Sequence, residues 1–149
     1  MWMAAGFAML ESGLVTSKSV ATIAAKNIGL YSIAGLMFWF IGYNLAYGIP
    51  EGGFIGTFLP WSDASSIETG YSDGSDWFFQ MVFCATTCSI VSGTMAERIK
   101  IWPFFLFCAI LAGIIYPIEM GWQWGGGHLA AAGFSDFAGS TLVHSAGGA

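Results

Sequence analysis

Three polar side chains late in the sequence are spaced so that they could act together. Asp136, Ser140 and His144 follow one another at intervals of four residues, and on an α-helix that spacing would place them on one face. The surrounding sequence is apolar, and ionisable side chains within a membrane helix usually mark the path of an ion or a proton. The spacing therefore predicts a polar ladder that helps a small polar species across a bilayer.

Both ionisable members of this ladder have a structural interpretation beside the functional one. His144 could relay protons, because an imidazole exchanges a proton near neutral pH, or it could be tied to a carbonyl group of a neighbouring helix. Asp136 could cap the backbone amides at the start of a helix or attract a cation at a pore mouth. The two roles of Asp136 are compatible, because a carboxylate that organises the backbone also shapes a cation site.

Aromatic side chains supply a second candidate site. Phe79 and Phe83 are four residues apart, and Trp124 directly precedes three glycines. Aromatic rings attract cations through their faces, tryptophan most strongly, and phenylalanines can form a hydrophobic gate in a pore. The alternative is that these rings only pack between helices. We take Phe79, Phe83 and Trp124 as candidate substrate-binding or gate residues.

The composition indicates a membrane protein. Of the 149 residues, 56% are hydrophobic and only 9% are charged, whereas soluble domains average about 25% charged residues. The net charge of −5 and the lack of a basic patch argue against binding to nucleic acid. The three cysteines lie in apolar runs without the spacing of metal ligands, so neither a metal site nor a cofactor is predicted.

Five apolar segments alternate with polar or glycine-rich connections. A membrane-spanning helix needs about 20 apolar residues, which the first segment does not reach and the last one does not complete. We therefore expect a fragment that lacks part of its first span and everything after its fifth. The predicted fold is an all-α polytopic transmembrane helix bundle, with spans at about 1–15, 28–47, 77–95, 101–118 and 136–149.

The basic residues predict the orientation of these spans. All four Lys and Arg residues lie in two short connections, 16–27 and 96–100, and two predicted spans separate these connections, so both lie on one side. The positive-inside rule assigns that side to the cytoplasm. The N-terminus then faces outward, in a multi-pass protein of the plasma or inner membrane. Glu11, inside the first segment, is expected to pair with a buried partner or to reach the interface.

A set of short motifs connects the whole chain to a known family. The motifs, in chain order, are Ala4–Val15 (AAGFAMLESGLV), Lys26-Asn27, Gly93 with Ala96-Glu97-Arg98-Ile99, Trp124-Gly125-Gly126-Gly127, and Asp136–Gly139 with His144. Each motif alone is weak, but their order and spacing together resemble the ammonium transporter (Amt/Mep/Rh) family. Trp124 favours the ammonium-transporter branch, because the Rh branch usually lacks that tryptophan.

The resemblance implies an eleven-helix bundle, of which this chain holds about five helices, and a homotrimer with one pore per subunit. It implies that Trp124 belongs to the outer recruitment cage, that Phe83 is one of two stacked gate phenylalanines with Phe79 one turn away, that Asp136 lies below the cage, and that His144 is the first of two pore histidines. The second gate phenylalanine, the second histidine and the cytoplasmic tail, where a regulatory protein could bind, are not in this chain. Residues 1–149 alone are therefore not expected to conduct.

The predicted function is transmembrane transport of ammonium or ammonia, with methylammonium as a further candidate substrate. A sensor of the same fold, which binds ammonium with little transport, is the alternative. An intramembrane hydrolase built from Asp136, Ser140 and His144 is disfavoured, because residues along one helix face are poorly placed as nucleophile and base and no Gly-x-Ser-x-Gly elbow is present. No enzymatic activity and no catalytic residue are predicted.

Overall fold

Helices form all of the regular structure in the residues that the computed structural model describes, 2–62 and 70–149. The central part of the connection after the second predicted span, residues 63–69, lies outside the described residues. The α-helices, in chain order, are α1 (Trp2–Leu14), α2 (Val20–Met37), α3 (Tyr43–Tyr47), α4 (Asp73–Thr94), α5 (Ile101–Ile110), α6 (Tyr116–Gln123), α7 (His128–Ala131) and α8 (Leu142–Gly148).

Two long rods are built from consecutive helices joined by a π-helical turn. The turn Phe38–Gly42 joins α2 to α3, and the turn Leu111–Ile115 joins α5 to α6. The second turn lies just before Pro117, whose missing N–H would leave the carbonyl group four residues earlier without a helical partner. The stretches Ser17–Tyr47 and Ile101–Ala131 are each 31 residues long and apolar enough to cross a bilayer.

The two π-helical turns pack against each other with little space between them. A Cβ atom on Gly42 would lie 3.1 Å from the ring of Pro117 and 3.3 Å from the carbonyl oxygen of Ala112. On the other side, a Cβ atom on Gly113 would lie 2.7 Å from the end of the Met37 side chain. Small residues let membrane helices approach closely, so these glycines set the distance between the rods.

The core lies between these rods and α4. Its largest fully buried side chains include Phe38 of the first rod, and Phe104 and Tyr116 of the second. Cys84 and Cys88 of α4 and Cys108 of α5 are buried with free thiols, and the Cys84 thiol donates to the carbonyl oxygen of Ala112 at 3.2 Å. In residues 2–62 and 70–149, no three His, Cys, Asp or Glu side chains come together as a metal site.

Several helix bounds differ from the predicted spans. The expected polar connection 16–27 is already helical from Val20, and Lys26 within this helix is buried in an ion pair with Glu11 and not exposed to water. The rod that contains α5 and α6 continues to Gln123 and so passes the expected end at residue 118. The largest difference concerns the last predicted span, which begins as a helix only at Leu142 and not at residue 136.

Candidate functional site

The position of Trp124 depends on the glycines around it. Trp124 follows the last residue of α6, and a Cβ atom on Gly125 would lie 2.0 Å from the carbonyl oxygen of Ala46 in α3. Gly126 has a φ angle of +76°, which favours glycine over other residues. The glycine run therefore lets the end of α6 lie directly on the backbone of α3, and this contact holds Trp124 at the end of the bundle.

The predicted aromatic residues lie together. The ring centroids of Phe79 and Phe83 are 5.2 Å apart, and those of Phe83 and Trp124 are 5.3 Å apart, both in T-shaped arrangements. We call Phe79, Phe83 and Trp124 the aromatic cluster. Edge-to-face packing is favourable in itself, so the geometry fits both packing and cation binding, and the role of the cluster in binding stays a prediction.

A pocket of about 310 Å³ opens beside the aromatic cluster. The aromatic cluster lines it together with Tyr47, Tyr71, Asp76, Gln80 and Phe137. The sequence analysis did not single out Asp76 or Gln80. A signal for both was present, since residues 76, 79, 80 and 83 have the spacing of one helix face, and α4 brings all four to the pocket.

Asp136 does not belong to a helical ladder, so the predicted common face of Asp136, Ser140 and His144 is wrong. Asp136 precedes α8, and its buried carboxylate accepts hydrogen bonds from the four backbone amides of Gly139, Ser140, Thr141 and Leu142, at 2.8 to 3.0 Å. An aspartate can bind nearby amides in a non-helical turn in competition with a helix. Gly139, with a φ angle of +78°, completes this turn.

Asp136 also connects the aromatic cluster to α8. The indole Nε1 of Trp124 donates to the backbone carbonyl oxygen of Asp136 at 2.6 Å, while the carboxylate of Asp136 holds the first turn of α8. Of the two interpretations of Asp136, backbone capping is present in the structure. A cation-attracting role stays a prediction.

His144 lies on the open face of α8. Leu142, Val143 and Gly147 are buried, and a Cβ atom on Gly147 would lie 2.8 Å from Ile90 of α4, so α8 packs tightly by that side. The side chain of His144 is on the exposed side of the described residues.

A carboxylate that the sequence analysis did not single out lies beside this helix. The hydroxyl of Ser145, the residue after His144, donates to the carboxylate of Glu119 in α6. Glu119 is half-buried, and it is the one Asp or Glu residue between residues 98 and 135. The turn of α8 that carries His144 is therefore held at its start by Asp136 and at its middle by Glu119.

A second polar cluster lies among α1, α2 and α4. The Lys26 ammonium group is 3.0 Å from Oε2 of Glu11 and donates to the carbonyl oxygen of Ser92 at 2.7 Å, while the Ser92 hydroxyl donates to Oε1 of Glu11 at 2.6 Å. The side chains of Glu11 and Lys26 are only 3% and 5% exposed, and the ammonium group lies 5.1 Å from the centre of the Phe104 ring. We call Glu11, Lys26 and Ser92 the ion-pair network. Of the two expectations for Glu11, pairing with a buried partner is confirmed.

The connections near this network are joined by Glu97. Its carboxylate accepts hydrogen bonds from the Thr16 hydroxyl, from the Ser19 hydroxyl at 2.7 Å and from the Thr16 amide at 3.2 Å. These bonds, the one from the Thr16 hydroxyl first, lower the pKa of Glu97 below its ordinary value. Glu97 thus links the connection after α1 to the connection after α4.

Comparison with known proteins assigns the family. The family model described as Ammonium Transporter Family matches residues 1–149. The chain belongs to the ammonium transporter family. A putative ammonium transporter of Synechocystis sp. is 40% identical, with 99% of this chain and 34% of that protein covered. An ammonium transporter of Archaeoglobus fulgidus is also 40% identical, with 99% of this chain and 33% of that protein covered.

A solved structure supports the same assignment at the level of the fold. The structure titled Sensor Amt Protein matches with a TM-score of 0.90 and 37% identity, covering 98% of this chain and 38% of that chain. Residues 1–149 therefore form a partial membrane helix bundle of this family. The chain spans about a third of the length of the curated relatives it matches.

Proposed function

We propose that the full-length protein that contains residues 1–149 transports ammonium or ammonia across the cell membrane. The observation that carries this proposal is the convergence of Phe79, Phe83 and Trp124 on one pocket, with Trp124 bonded to the segment that leads into the His144 helix. Family membership supports the substrate. The relatives named above are called ammonium transporters, and we extend that substrate, with methylammonium as a second candidate, to this chain.

In this proposal the aromatic cluster receives the cation after it loses water. A cation–π contact contributes about 2 kcal/mol or more when it is desolvated, which is less than the several kcal/mol that a full charge costs at the bilayer centre. The aromatic cluster alone therefore cannot offset the cost of moving intact ammonium through a dry pore. Two routes satisfy this balance: the proton separates from ammonia with His144 as its relay, or water fills the pore beyond the aromatic cluster.

In this mechanism Asp136 acts mainly by accepting hydrogen bonds from backbone amides. Its carboxylate already accepts four amide hydrogen bonds, and a carboxylate has about four acceptor sites. We propose that Asp136 positions Trp124 on one side and α8 with His144 on the other. Its negative charge adds a favourable field for a cation that has entered the pocket.

The arrangement in the membrane follows from the charges and the family resemblance. We propose a multi-pass protein of the plasma or inner membrane with five spans in residues 1–149, an external N-terminus, and the basic connections in the cytoplasm. We further propose a homotrimer with one pore per subunit, and a cytoplasmic tail beyond this chain as the place where a regulatory protein binds.

Transport is tested with the full-length protein in liposomes on a solid-supported membrane. An ammonium pulse is expected to evoke a current that saturates with ammonium concentration, and His144→Ala is expected to change it by about tenfold or more, since a proton-transfer group contributes at least that much in comparable roles. Ser140→Ala serves as the matched control on the same segment and should leave the current within about twofold of the unmodified protein. An unmodified protein without current contradicts electrogenic transport.

A sensor remains the second candidate function, because the matching solved structure is titled Sensor Amt Protein. A sensor would bind ammonium through the same pocket but move little of it. Ammonium binding to the purified protein, measured by calorimetry, together with the absence of both current and ammonium uptake would favour the sensor.

A further inference from the structure

A hydrogen bond between Glu119 and Ser145 joins α6 to α8 next to His144. Glu119 lies five residues before Trp124, which is about 7.5 Å along a helix, so it lies deeper in the bundle than the aromatic cluster. Ser145 and His144 are both on the exposed side of α8 among the described residues, and Glu119 is half-buried against that side. A carboxyl group therefore lies beside His144, and the proposed mechanism does not use it.

The hydroxyl group of Ser145 has two acceptors but only one hydrogen. Its Oγ atom contacts an oxygen of Glu119 and also lies 3.2 Å from the backbone carbonyl oxygen of Leu142. A protonated carboxyl group supplies a hydrogen of its own. With Glu119 ionised, only one of the two contacts can be a full hydrogen bond. With Glu119 protonated, Glu119 donates to Ser145 and Ser145 donates to Leu142, so both contacts are satisfied.

No lysine or arginine of this chain lies near enough to stabilise an ionised Glu119. All four Lys and Arg residues lie at positions 16–27 and 96–100, in the two connections that Glu97 joins. Because a helix rises about 1.5 Å per residue, Lys100 and Glu119 are about 28 Å apart along the rod that contains α5 and α6. This separation is several times the Debye length of about 8 Å at physiological salt.

The titratable groups around Glu119 also disfavour a second negative charge. Asp136 and Glu119 both lie within electrostatic range of the buried Tyr116 hydroxyl, and like charges disfavour ionisation of one another. An ionised side chain in an apolar span is costly as well. Tyr116 and its other electrostatic neighbours are uncharged at neutral pH, and α8 contributes an imidazole. These remaining groups are the phenol of Tyr47 in α3, the thiol of Cys84 in α4 and the side chain of His144.

We infer that Glu119 is a neutral carboxylic acid at neutral pH, and that Glu119 and Ser145 form a proton-holding site beside His144. Transfer of the Glu119 proton to the His144 imidazole converts the neutral pair into a carboxylate and an imidazolium, and the reverse transfer restores it. Glu119 is thereby a second proton-exchanging residue on the side of the bundle that carries His144. This exchange role rests on the proposed function, whereas the protonation of Glu119 does not.

The competing explanation is that Glu119 is ionised and only ties α6 to α8. In that case its carboxylate accepts the Ser145 hydrogen, and the contact with Leu142 is not a hydrogen bond. Glu51 provides a matched control, because it is exposed in the connection after α3. The change from Glu to Gln then removes the same group from a carboxyl that faces water.

Protonation is tested by infrared difference spectroscopy of the full-length protein in lipid vesicles at pH 7. Subtracting the spectrum of Glu119→Gln from that of the unmodified protein is expected to leave the C=O stretching band of a carboxylic acid, which shifts in heavy water. The same subtraction with Glu51→Gln should leave carboxylate bands and no acid band, since an exposed carboxyl group is ionised at this pH. Carboxylate bands without an acid band for Glu119→Gln would overturn the inference.

Ser145→Ala keeps this test decisive if Glu119→Gln does not assemble. The variant leaves Glu119 in place but removes the oxygen to which its acid group donates. The acid band is expected to move to higher wavenumber, because the carboxylic acid loses its hydrogen-bond partner. Identical spectra of Ser145→Ala and the unmodified protein in the acid region would contradict a protonated Glu119 bonded to Ser145.

The exchange role is tested by the ammonium-evoked current of the full-length variants. Glu119→Gln has no acid proton to exchange and should lower the current about tenfold or more. Glu119→Asp keeps an acid group and should retain more current than Glu119→Gln, whereas Glu51→Gln should stay within about twofold of the unmodified protein. A purely structural tie predicts the reverse order, because Gln keeps the length needed to reach Ser145 and Asp does not.

The two measurements separate this inference from the proposed function. An acid band in an unmodified protein that carries no current would mean that the protonated Glu119 stands and transport fails. A current in a protein whose Glu119 is ionised would mean that transport stands and the inference fails. An acid band together with at least as much current in Glu119→Gln as in Glu119→Asp would overturn the exchange role.

Discussion

Asp136 and Glu11 are both buried carboxylates, at 4% and 3% exposure, yet they are stabilised in different ways. Asp136 accepts the amides of the four residues Gly139 to Leu142, all within six positions of it along the chain. Glu11 is paired with Lys26 and with Ser92, which is 81 residues away. The comparison shows that this fold stabilises one buried charge locally and the other only after three helices have packed together.

The two arrangements also differ in what they leave for function. The ion-pair network is electrically balanced, because Lys26 compensates Glu11, and it joins α1, α2 and α4. Among the described residues Asp136 has no basic partner, and its charge is stabilised by four backbone amides together with the Ser140 hydroxyl at 3.3 Å. Its backbone carbonyl oxygen accepts the indole N–H of Trp124, and its carboxylate accepts the amides of the residues that lead into α8. A net negative charge therefore lies near the aromatic cluster, whereas the ion-pair network at the other end of the bundle is electrically neutral.

The largest effect is expected from Asp136→Ala, which tests the local arrangement. Four backbone amides would lose their acceptor, and at about 1 kcal/mol or more for each unsatisfied group the free energy of unfolding should fall by about 4 kcal/mol. The measurement is equilibrium unfolding of the full-length protein in mixed detergent micelles. Asp136→Asn keeps one acceptor oxygen and should lose about half as much. Equal stability of Asp136→Ala and the unmodified protein would mean that the amides find other partners.

A smaller loss is expected from Lys26→Met, which tests the long-range arrangement. Removing one partner of a buried ion pair leaves Glu11 uncompensated and should lower the free energy of unfolding by about 3 kcal/mol. The double variant Glu11→Gln with Lys26→Met removes both charges and should recover most of this loss in the same unfolding measurement. Lys18→Met, at an exposed position of the nearby connection, is the control and should change little. A double variant as unstable as Lys26→Met would show that charge pairing is not the cause.

The smallest effect on stability is expected at Glu97. This carboxylate is exposed, so it serves as a reference for the two buried carboxylates, Asp136 and Glu11. The hydrogen bonds from Thr16 and Ser19 lower its folded-state pKa below the ordinary 4.5, so its stabilising contribution is present above that pH and is lost as the pH falls through the lowered value. Glu97→Gln should therefore have a slightly lower melting temperature than the unmodified protein at pH 7. The difference should disappear below the folded-state pKa, and a difference that grows on acidification would contradict this account.

Part of the candidate site could be predicted from residue type and spacing. Phe79 and Phe83 lie on one face of α4 because helical periodicity places residues four apart together. Their contact with Trp124 was expected from the family resemblance and not from spacing. Pairing of Glu11 was predictable in kind, because a carboxylate in an apolar helix needs a partner. The sequence places its partner Lys26 in the short polar connection 16–27, since nothing local distinguishes a buried lysine from an exposed one.

The start of α8 illustrates the limit of periodicity. Positions 136, 140 and 144 satisfy a helical repeat, but Asp136 and Gly139 favour a turn in which the aspartate side chain binds the amides itself. Spacing alone does not separate these two outcomes, because both place the residues close together. The position of Asp76 in the wall of the pocket is equally hard to predict, since an acidic residue at the start of a helix has an ordinary explanation.

The sequence by itself determined that this protein is an all-helical membrane protein of the ammonium transporter family, because apolar content, basic-residue placement and ordered motifs are properties of the chain alone. Only the tertiary structure decided which charges are paired, where α8 begins and which side chains share the pocket. These outcomes depend on contacts between helices that are far apart in sequence. The partners of Glu11, Trp124 and Asp76 are set by packing distances that no local pattern contains.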